Sequence, residues 1–197
     1  MIPLMEDFYS LQGEGFYSGR AAYFIRYAGC DVGCVWCDVK ESWDKEAHPE
    51  VELNTLIQRV KDSGTDFVVI TGGEPAMYDL TTITEALHAE NIEIAIETSG
   101  AYKIVGNFDW ICLSPKKFKM PIEENYAIAT ELKMIIFNKS DFKWAEELQA
   151  KVSDKCILYM QPEWDKSKEM LPLMVDYVKE HVEWNVSLQT HKFLNIP

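Results

Sequence analysis

Apolar positions along the chain fall into two alternating kinds of run. Short stretches dense in β-branched and aromatic residues read as strands: Ala22–Tyr27, Phe67–Ile70, Ile92–Ile96, Asp109–Leu113, Lys133–Phe137, Cys156–Met160 and Trp184–Leu188. Between them, apolar residues recur every three or four positions. Val51–Ser63 puts Leu53, Leu56, Ile57 and Val60 on one helical face, and Asp79 is placed to cap a helix that ends near Glu90. Asp141–Val152 and Lys166–His181 are the other helices, with Pro172 expected to kink the last one or shift its start. Strands alternating with helices predict a mostly parallel sheet.

The strand ends carry the next signal. Several stop in small polar clusters: Thr71-Gly72-Gly73-Glu74-Pro75, Glu97-Thr98-Ser99-Gly100 and Ser114-Pro115-Lys116. In an α/β barrel the C-terminal strand ends converge on one mouth, where chemistry is assembled. About six or seven strands are too few to close an eightfold barrel, so an α/β fold with a partial, open (β/α) barrel is expected. No repeat or flexible linker interrupts the chain, which reads as one domain, 1–197.

Charge and length narrow the partners. With 19 basic against 32 acidic residues, the net charge of −13 disfavours non-specific binding to nucleic acid or anionic membranes. No apolar run is long enough for a membrane span, and the N-terminus has no signal-peptide pattern. A cytoplasmic location with reduced thiols is expected.

Five cysteines are present, and three fall in Gly29-Cys30-Asp31-Val32-Gly33-Cys34-Val35-Trp36-Cys37-Asp38. Thiolates suit iron–sulfur clusters and zinc, and Gly29 and Gly33 give the loop freedom to wrap a compact centre. An electron-carrying [4Fe–4S] centre has four cysteine ligands. Three leave one iron open to a small molecule, and the amino and carboxylate groups of S-adenosylmethionine (SAM) are suitable donors. Structural zinc, with His48 or another cysteine as fourth ligand, is the alternative, although two CxxC-type pairs would then be expected. Cys112 and Cys156 sit in apolar strands and read as core, as do Met120, Met134, Met160, Met170 and Met174.

The cysteine spacing, with an aromatic before the third cysteine, is the radical SAM signature. Thr71 to Pro75 looks like the glycine-rich motif that holds the SAM amino group, with Glu74 and exposed carbonyls as acceptors. Ser10-Leu11-Gln12-Gly13-Glu14-Gly15, Phe24-Ile25-Arg26, Trp36-Cys37-Asp38, Thr71–Pro75, Glu97–Gly100, Ser114–Lys116 and Leu188–Ile196 together resemble the 7-carboxy-7-deazaguanine synthases of the radical SAM superfamily. The matches run in order from residue 10 to the end of the chain.

That resemblance implies a radical ring contraction of 6-carboxy-5,6,7,8-tetrahydropterin to 7-carboxy-7-deazaguanine, with loss of ammonia, in queuosine and 7-deazapurine biosynthesis. The adenosyl radical takes hydrogen from C6 of the pterin. The resemblance further implies a trimmed radical SAM barrel, a [4Fe–4S] cluster, SAM, usually Mg²⁺, a homodimer, and an electron donor such as flavodoxin. By motif, Cys30, Cys34 and Cys37 hold the cluster. Trp36, Cys37, Asp38, Gly73, Ser114, Pro115, Lys116 and Gln161 line SAM, while Leu11, Gln12, Gly13, Arg26, Thr71 and Pro197 touch substrate.

Several roles have a physical basis. The planar fork of Arg26 matches a substrate carboxylate, with a surface ion pair as the alternative. The terminal carboxylate at Pro197 suits the guanidine-like edge of a pterin. Lys116 reads equally as a solvated loop charge, and His191 as a ring contact or as packing. The family usually has Thr where this chain has Val39, whose side chain has no oxygen for Mg²⁺. A glycyl-radical-enzyme activase is the nearest rival, and an iron–sulfur carrier or zinc-binding module is the alternative from another class. Scattered Trp110, Trp144, Trp164 and Trp184 lack basic interleaving and indicate packing rather than nucleic-acid stacking.

Overall fold

The computed structural model describes residues 1–197. Its strands are β1 (Ile2–Leu11), β2 (Ala21–Tyr27), β3 (Glu50–Val51), β4 (Phe67–Gly72), β5 (Glu93–Thr98), β6 (Trp110–Leu113), β7 (Glu131–Ile136), β8 (Ile157–Pro162) and β9 (Trp184–Val186). Its helices are α1 (Leu53–Ser63), α2 (Thr81–Ala89), α3 (Glu123–Ile128), α4 (Ser140–Gln149), α5 (Ser167–Glu180) and α6 (Thr190–Leu194). All nine strands form one open sheet, ordered β3-β1-β2-β4-β5-β6-β7-β8-β9.

From β2 to β9 every neighbouring pair is parallel, so the seven strands read from the apolar runs form the parallel part. The pattern missed the two antiparallel strands. β1 pairs with β2 on one side and, through Ile2 and Pro3, with β3 on the other. Only the first third of β1 is deeply buried, so its composition shows neither clean alternation nor a continuous apolar run. Pro3 is tolerated because its pairing partner is only the two-residue β3, near the sheet edge.

Side chains alternate across the sheet, and this alternation decides what each strand contributes. Ile25, Val68, Ile70, Ile94 and Ile96 face α1 and α2, where they pack with Leu56, Ile57, Val60, Ile83 and Leu87. Leu132, Met134, Ile136, Leu158 and Met160 pack with Ala145 and Leu148 of α4 and Met170 and Met174 of α5. The opposite face carries a smaller apolar floor of Ala22, Phe24, Phe67, Val69 and Ala95. Cys112 and Cys156 are buried, as expected of core residues. Met120 departs from expectation: it is 46% exposed, in the loop after β6 rather than in a packed element. Pro172 neither starts nor ends α5, which begins at Ser167 after a short 3-10 turn.

Candidate active site

The alternation that packs one sheet face leaves the other lined at its strand ends. Arg26 of β2, Thr71 of β4, Glu97 of β5, Lys133 of β7 and Gln161 of β8 all open on one cavity of about 480 Å³. Each stands one residue from a helix-facing partner, and the convergence is that of strand C-termini in an α/β sheet.

The cysteine loop forms one wall. Cys30, Cys34 and Cys37 all line the cavity, as do Trp36 and Asp38. Gly29 adopts φ +100° and Gly33 φ +74°, conformations that disfavour an L side chain. The loop is pinned by Gly29 N–H donating to Ser42 O at 2.7 Å, Cys30 N–H to Trp43 O at 3.2 Å and Glu74 N–H to Gly29 O at 2.9 Å. A Cβ on Gly73 would collide with the Gly29 carbonyl and Cys30 Cβ, so β4 meets the loop backbone to backbone. Burial pushes the Cys34 thiol up to about 11 and raises that of Cys30. Loading iron on these thiols therefore releases protons.

The other strand ends divide. Ser114 accepts from Lys116 Nζ at 2.7 Å and donates to the Lys133 carbonyl at 3.0 Å. Lys116 also lies 5.8 Å from the centre of the Trp36 ring, and burial lowers its pKa. It is therefore held in place rather than solvated. Pro115 does not line this cavity and faces a smaller adjoining hollow, because the turn points successive side chains apart. Gln161 is buried and accepts from Ser187 Oγ at 2.7 Å, while its Nε2 makes no bond within the chain.

Glu74 corrects an expectation. Its carboxylate is not presented to a ligand: it accepts from the Ser99 backbone N–H at 2.8 Å, the Ala76 N–H at 3.0 Å, and the hydroxyls of Thr98 and Ser99. Glu74 is 1% exposed and ties the end of β4 to the end of β5. The motif offers its backbone, not this acid, as the reachable acceptor.

Both chain ends complete the cavity. Leu11, Gln12, Gly13 and Glu14 enter from the end of β1, and Gln189, His191, Lys192 and Pro197 enter from the C-terminus. Thr190 N–H and Oγ1 both donate to Gly13 O at 2.9 Å, and Ser10 Oγ donates to Pro197 O at 3.3 Å. Lys192 bridges from α6 to Asp38 of the cysteine loop at 3.1 Å. His191 packs against Gly13, where a Cβ would strike its ring, and burial lowers its pKa. Gly13→Ala is expected to displace α6 and cost roughly 1–3 kcal/mol. A denaturant midpoint, with proteolysis after Lys192 as reporter of α6, checks this.

Arg26 makes one ion pair, Nε to Glu6 Oε1 at 2.7 Å, and its side chain is 19% exposed. Neither Nη takes part in a hydrogen bond within the chain, so the planar fork keeps one edge for a ligand. The ion pair with Glu6 is present, and it leaves the Nη edge unoccupied.

The radical SAM superfamily model matches residues 24–105. The 7-carboxy-7-deazaguanine synthase of Flavobacterium psychrophilum is 55% identical over all of this chain and 93% of its own length. That of Synechocystis sp. is 46% identical over 98% of this chain and 93% of its own. The crystal structure of QueE from Escherichia coli matches with a TM-score of 0.85 at 29% identity, covering 96% of this chain and 94% of that one. This chain belongs to the 7-carboxy-7-deazaguanine synthase family. It is a radical SAM enzyme, and that superfamily uses a [4Fe–4S] cluster and SAM.

For a synthase of this family the donor set fits the cluster. Three thiols share one cavity wall, while buried Cys112 in β6 and Cys156 just before β8 line no part of it. A [4Fe–4S] cluster held by these three thiols would keep one iron free of a protein ligand. Position 39 does not fit Mg²⁺. The Val39 side chain has no oxygen, and its carbonyl already accepts from Ser42 N–H at 3.1 Å and Ser42 Oγ at 2.6 Å.

Reading motifs alone missed a charge network built around a buried lysine in this cavity. Lys133, 3% exposed, donates to Glu14 Oε2 at 2.6 Å and to Glu97 Oε2 at 2.8 Å. Gln12 Nε2 joins at Glu97 Oε1 (3.3 Å), and Gln189 Nε2 at Glu14 Oε1 (2.9 Å). Burial opposes the charge on Lys133, but Glu14, Glu97 and other neighbours outweigh it and hold its pKa well above the usual value. Burial would raise the Glu14 pKa, yet the charge and hydrogen bond of Lys133 bring it down to about 2. The sequence signal was present: a lysine inside the apolar run Glu131–Ile136, in the alternation phase opposite to the core residues Leu132 and Met134.

Proposed function

We infer that the chain catalyses the radical ring contraction of 6-carboxy-5,6,7,8-tetrahydropterin to 7-carboxy-7-deazaguanine, with loss of ammonia. One observation carries this: the three-cysteine wall, the open edge of Arg26 and the C-terminal Pro197 all meet on one cavity. In this reading Cys30, Cys34 and Cys37 hold the cluster. The backbone at Gly73, with Trp36, Asp38, Ser114, Lys116 and Gln161, holds SAM. The substrate lies against Leu11, Gln12, Gly13, Arg26, Thr71 and Pro197. The bound cluster and SAM supply a 5′-deoxyadenosyl radical. The chain supplies placement: Arg26 grips the substrate carboxylate, the Pro197 carboxylate takes the guanidine-like edge, and the floor of Phe24 and Val69 excludes water.

A glycyl-radical-enzyme activase would need a groove open to a polypeptide. Here the Gly13–Thr190 and Lys192–Asp38 contacts draw the C-terminal segment across the cavity, which favours a small substrate. No reaction step is routed through Mg²⁺. A cytoplasmic setting accords with five free cysteines, and no helix is long and apolar enough to cross a membrane. One sheet running through the whole chain supports reading 1–197 as one domain. A homodimer and a flavodoxin-type electron donor complete the proposal.

The test is anaerobic reconstitution with iron and sulfide, then SAM, dithionite and 6-carboxytetrahydropterin, with and without Mg²⁺. 7-Carboxy-7-deazaguanine is the expected product, with less dependence on Mg²⁺ than for a relative carrying Thr at that position. SAM cleavage without this product would reject the substrate assignment. Arg26→Ala is expected to raise KM for the pterin roughly ten- to a hundredfold, the loss of one charge-assisted contact, with SAM affinity unchanged. Equal loss of both would remove Arg26 from the substrate side.

A further inference from the structure

The outer side of the cysteine loop carries a surface that the reaction cavity does not use. Val35, between two of the cysteines, is 66% exposed. Beside it a hollow of about 150 Å³ is lined by Val35, Trp36, Pro115, Phe118, Phe137 and Trp144, among others. Phe118 and Phe137 are 46% and 36% exposed, and Phe118 meets Trp36 edge-on at 6.3 Å. Trp36 and Lys116 belong to both the hollow and the reaction cavity, so only a thin wall separates them.

The charge on this face is opposite to that of the molecule. The chain has 32 acidic against 19 basic residues, yet Lys116-Lys117-Phe118-Lys119-Met120 contains three lysines and no acid. The nearby acids are paired with lysines. Asp141, 5% exposed at its side chain, lies under Lys117, which is 45% exposed, and Asp31 is held by Lys119. Exposed Lys139 follows Asn138, a lining residue.

We propose that this face is the docking surface for the electron donor, a small acidic carrier protein whose redox group lies at its own surface. The proposal rests on the reading that Cys30, Cys34 and Cys37 hold the cluster. Electron tunnelling falls steeply with distance, so the donor must approach where the cluster loop itself reaches solvent. Val35 and Phe118 provide an apolar centre and the lysines a basic rim, the arrangement of a small, transient, electrostatically steered interface. The donor gives up one electron and the cluster accepts it; no bond is made or broken, and no atom is transferred.

The experiment uses the reconstituted protein and oxidised flavodoxin, an acidic flavoprotein, as the probe. Calorimetry should show binding that weakens as salt rises from about 50 to 200 mM, through screening. Phe118→Ser combined with Lys139→Glu should bind roughly tenfold more weakly and lose most of the salt dependence. Iron content, SAM affinity and dithionite-driven product should match the parent, while flavodoxin-driven product falls with the affinity. Unchanged flavodoxin affinity in the variant would overturn the proposal. So would a change in mass by light scattering with donor binding intact, which would make the face an interface between copies of this chain. An equal fall with dithionite and with flavodoxin would also overturn it, by locating the damage in the site. Failure of the parent to make product with dithionite would instead reject the functional reading, whatever the binding result.

Discussion

Cys34→Ala is expected to lose the cluster and all product formation together. Cys34 is buried at the centre of its loop, with Val32 and Ala101 packed beside it and Cys30 and Cys37 on either side in sequence. With two thiols left on the cavity, a cluster would have two irons without protein ligands, and the remaining cysteines, Cys112 and Cys156, are buried in the core away from the cavity. Removing one buried sulfur costs little in packing, about 1 kcal/mol. The variant should therefore fold and still fail to hold iron. Iron and sulfide analysis after reconstitution, with product assay in the same samples, makes the measurement. Cys156→Ala is the control, expected to keep both cluster and product. Full iron content and turnover in Cys34→Ala would refute the assignment of the cluster to this loop.

Lys133→Met is expected to destabilise the fold strongly. The ammonium of Lys133 lies between the Glu14 and Glu97 carboxylates, and Met keeps most of the volume while deleting the charge. Two partly buried carboxylates then face each other without a cation. Breaking such an arrangement from one side costs on the order of 3–5 kcal/mol. A urea midpoint at pH 7 measures it.

The pH dependence gives an independent reading. In the parent the Glu14 pKa is held at about 2, below its ordinary 4.5, so its contribution to stability is present above about 4.5 and is lost as pH falls toward 2. Without the charge and hydrogen bond of Lys133, burial is opposed only by the Gln189 hydrogen bond and His191, and the Glu14 pKa rises. The stability that Glu14 contributes above about 4.5 then shrinks, and the variant loses less stability than the parent as pH falls toward 2. Parallel pH profiles for parent and variant would show that Lys133 does not govern the Glu14 carboxylate.

The two predictions stand in different relations to the sequence. The cysteine loop was legible because its spacing is local: three thiols within eight residues point to a metal site without knowledge of the fold. The same holds for the strand-end clusters, since Gly, Ser and Thr after a buried strand mark a place where backbone is exposed. The Lys133 network was not legible as motifs. Its members come from β5, β7 and the two chain ends, and no short window contains two of its charges in contact.

The function of Glu74 was misread for a related reason. A sequence shows that an acid follows two glycines, but not that Thr98 and Ser99 of the neighbouring strand lie within reach of it. Strand register decides that, and the parallel pairing of β4 with β5 is a tertiary fact. β1 escaped notice likewise. Its pairing with β2 and β3 stabilises it, whereas its own side chains show little alternation.

By itself, then, the sequence determined the elements with strong apolar periodicity, the α/β class, the cluster loop and the family motifs, because each is encoded over a few neighbouring residues. Only the tertiary structure decided which side of each strand end faces the cavity, how Lys133 is shared between Glu14 and Glu97, why Glu74 is closed to ligands, and where Pro115 points. These depend on contacts between residues up to 119 positions apart, as in Lys133 with Glu14. Such contacts are fixed by sheet register and side-chain alternation, which no local stretch of sequence specifies.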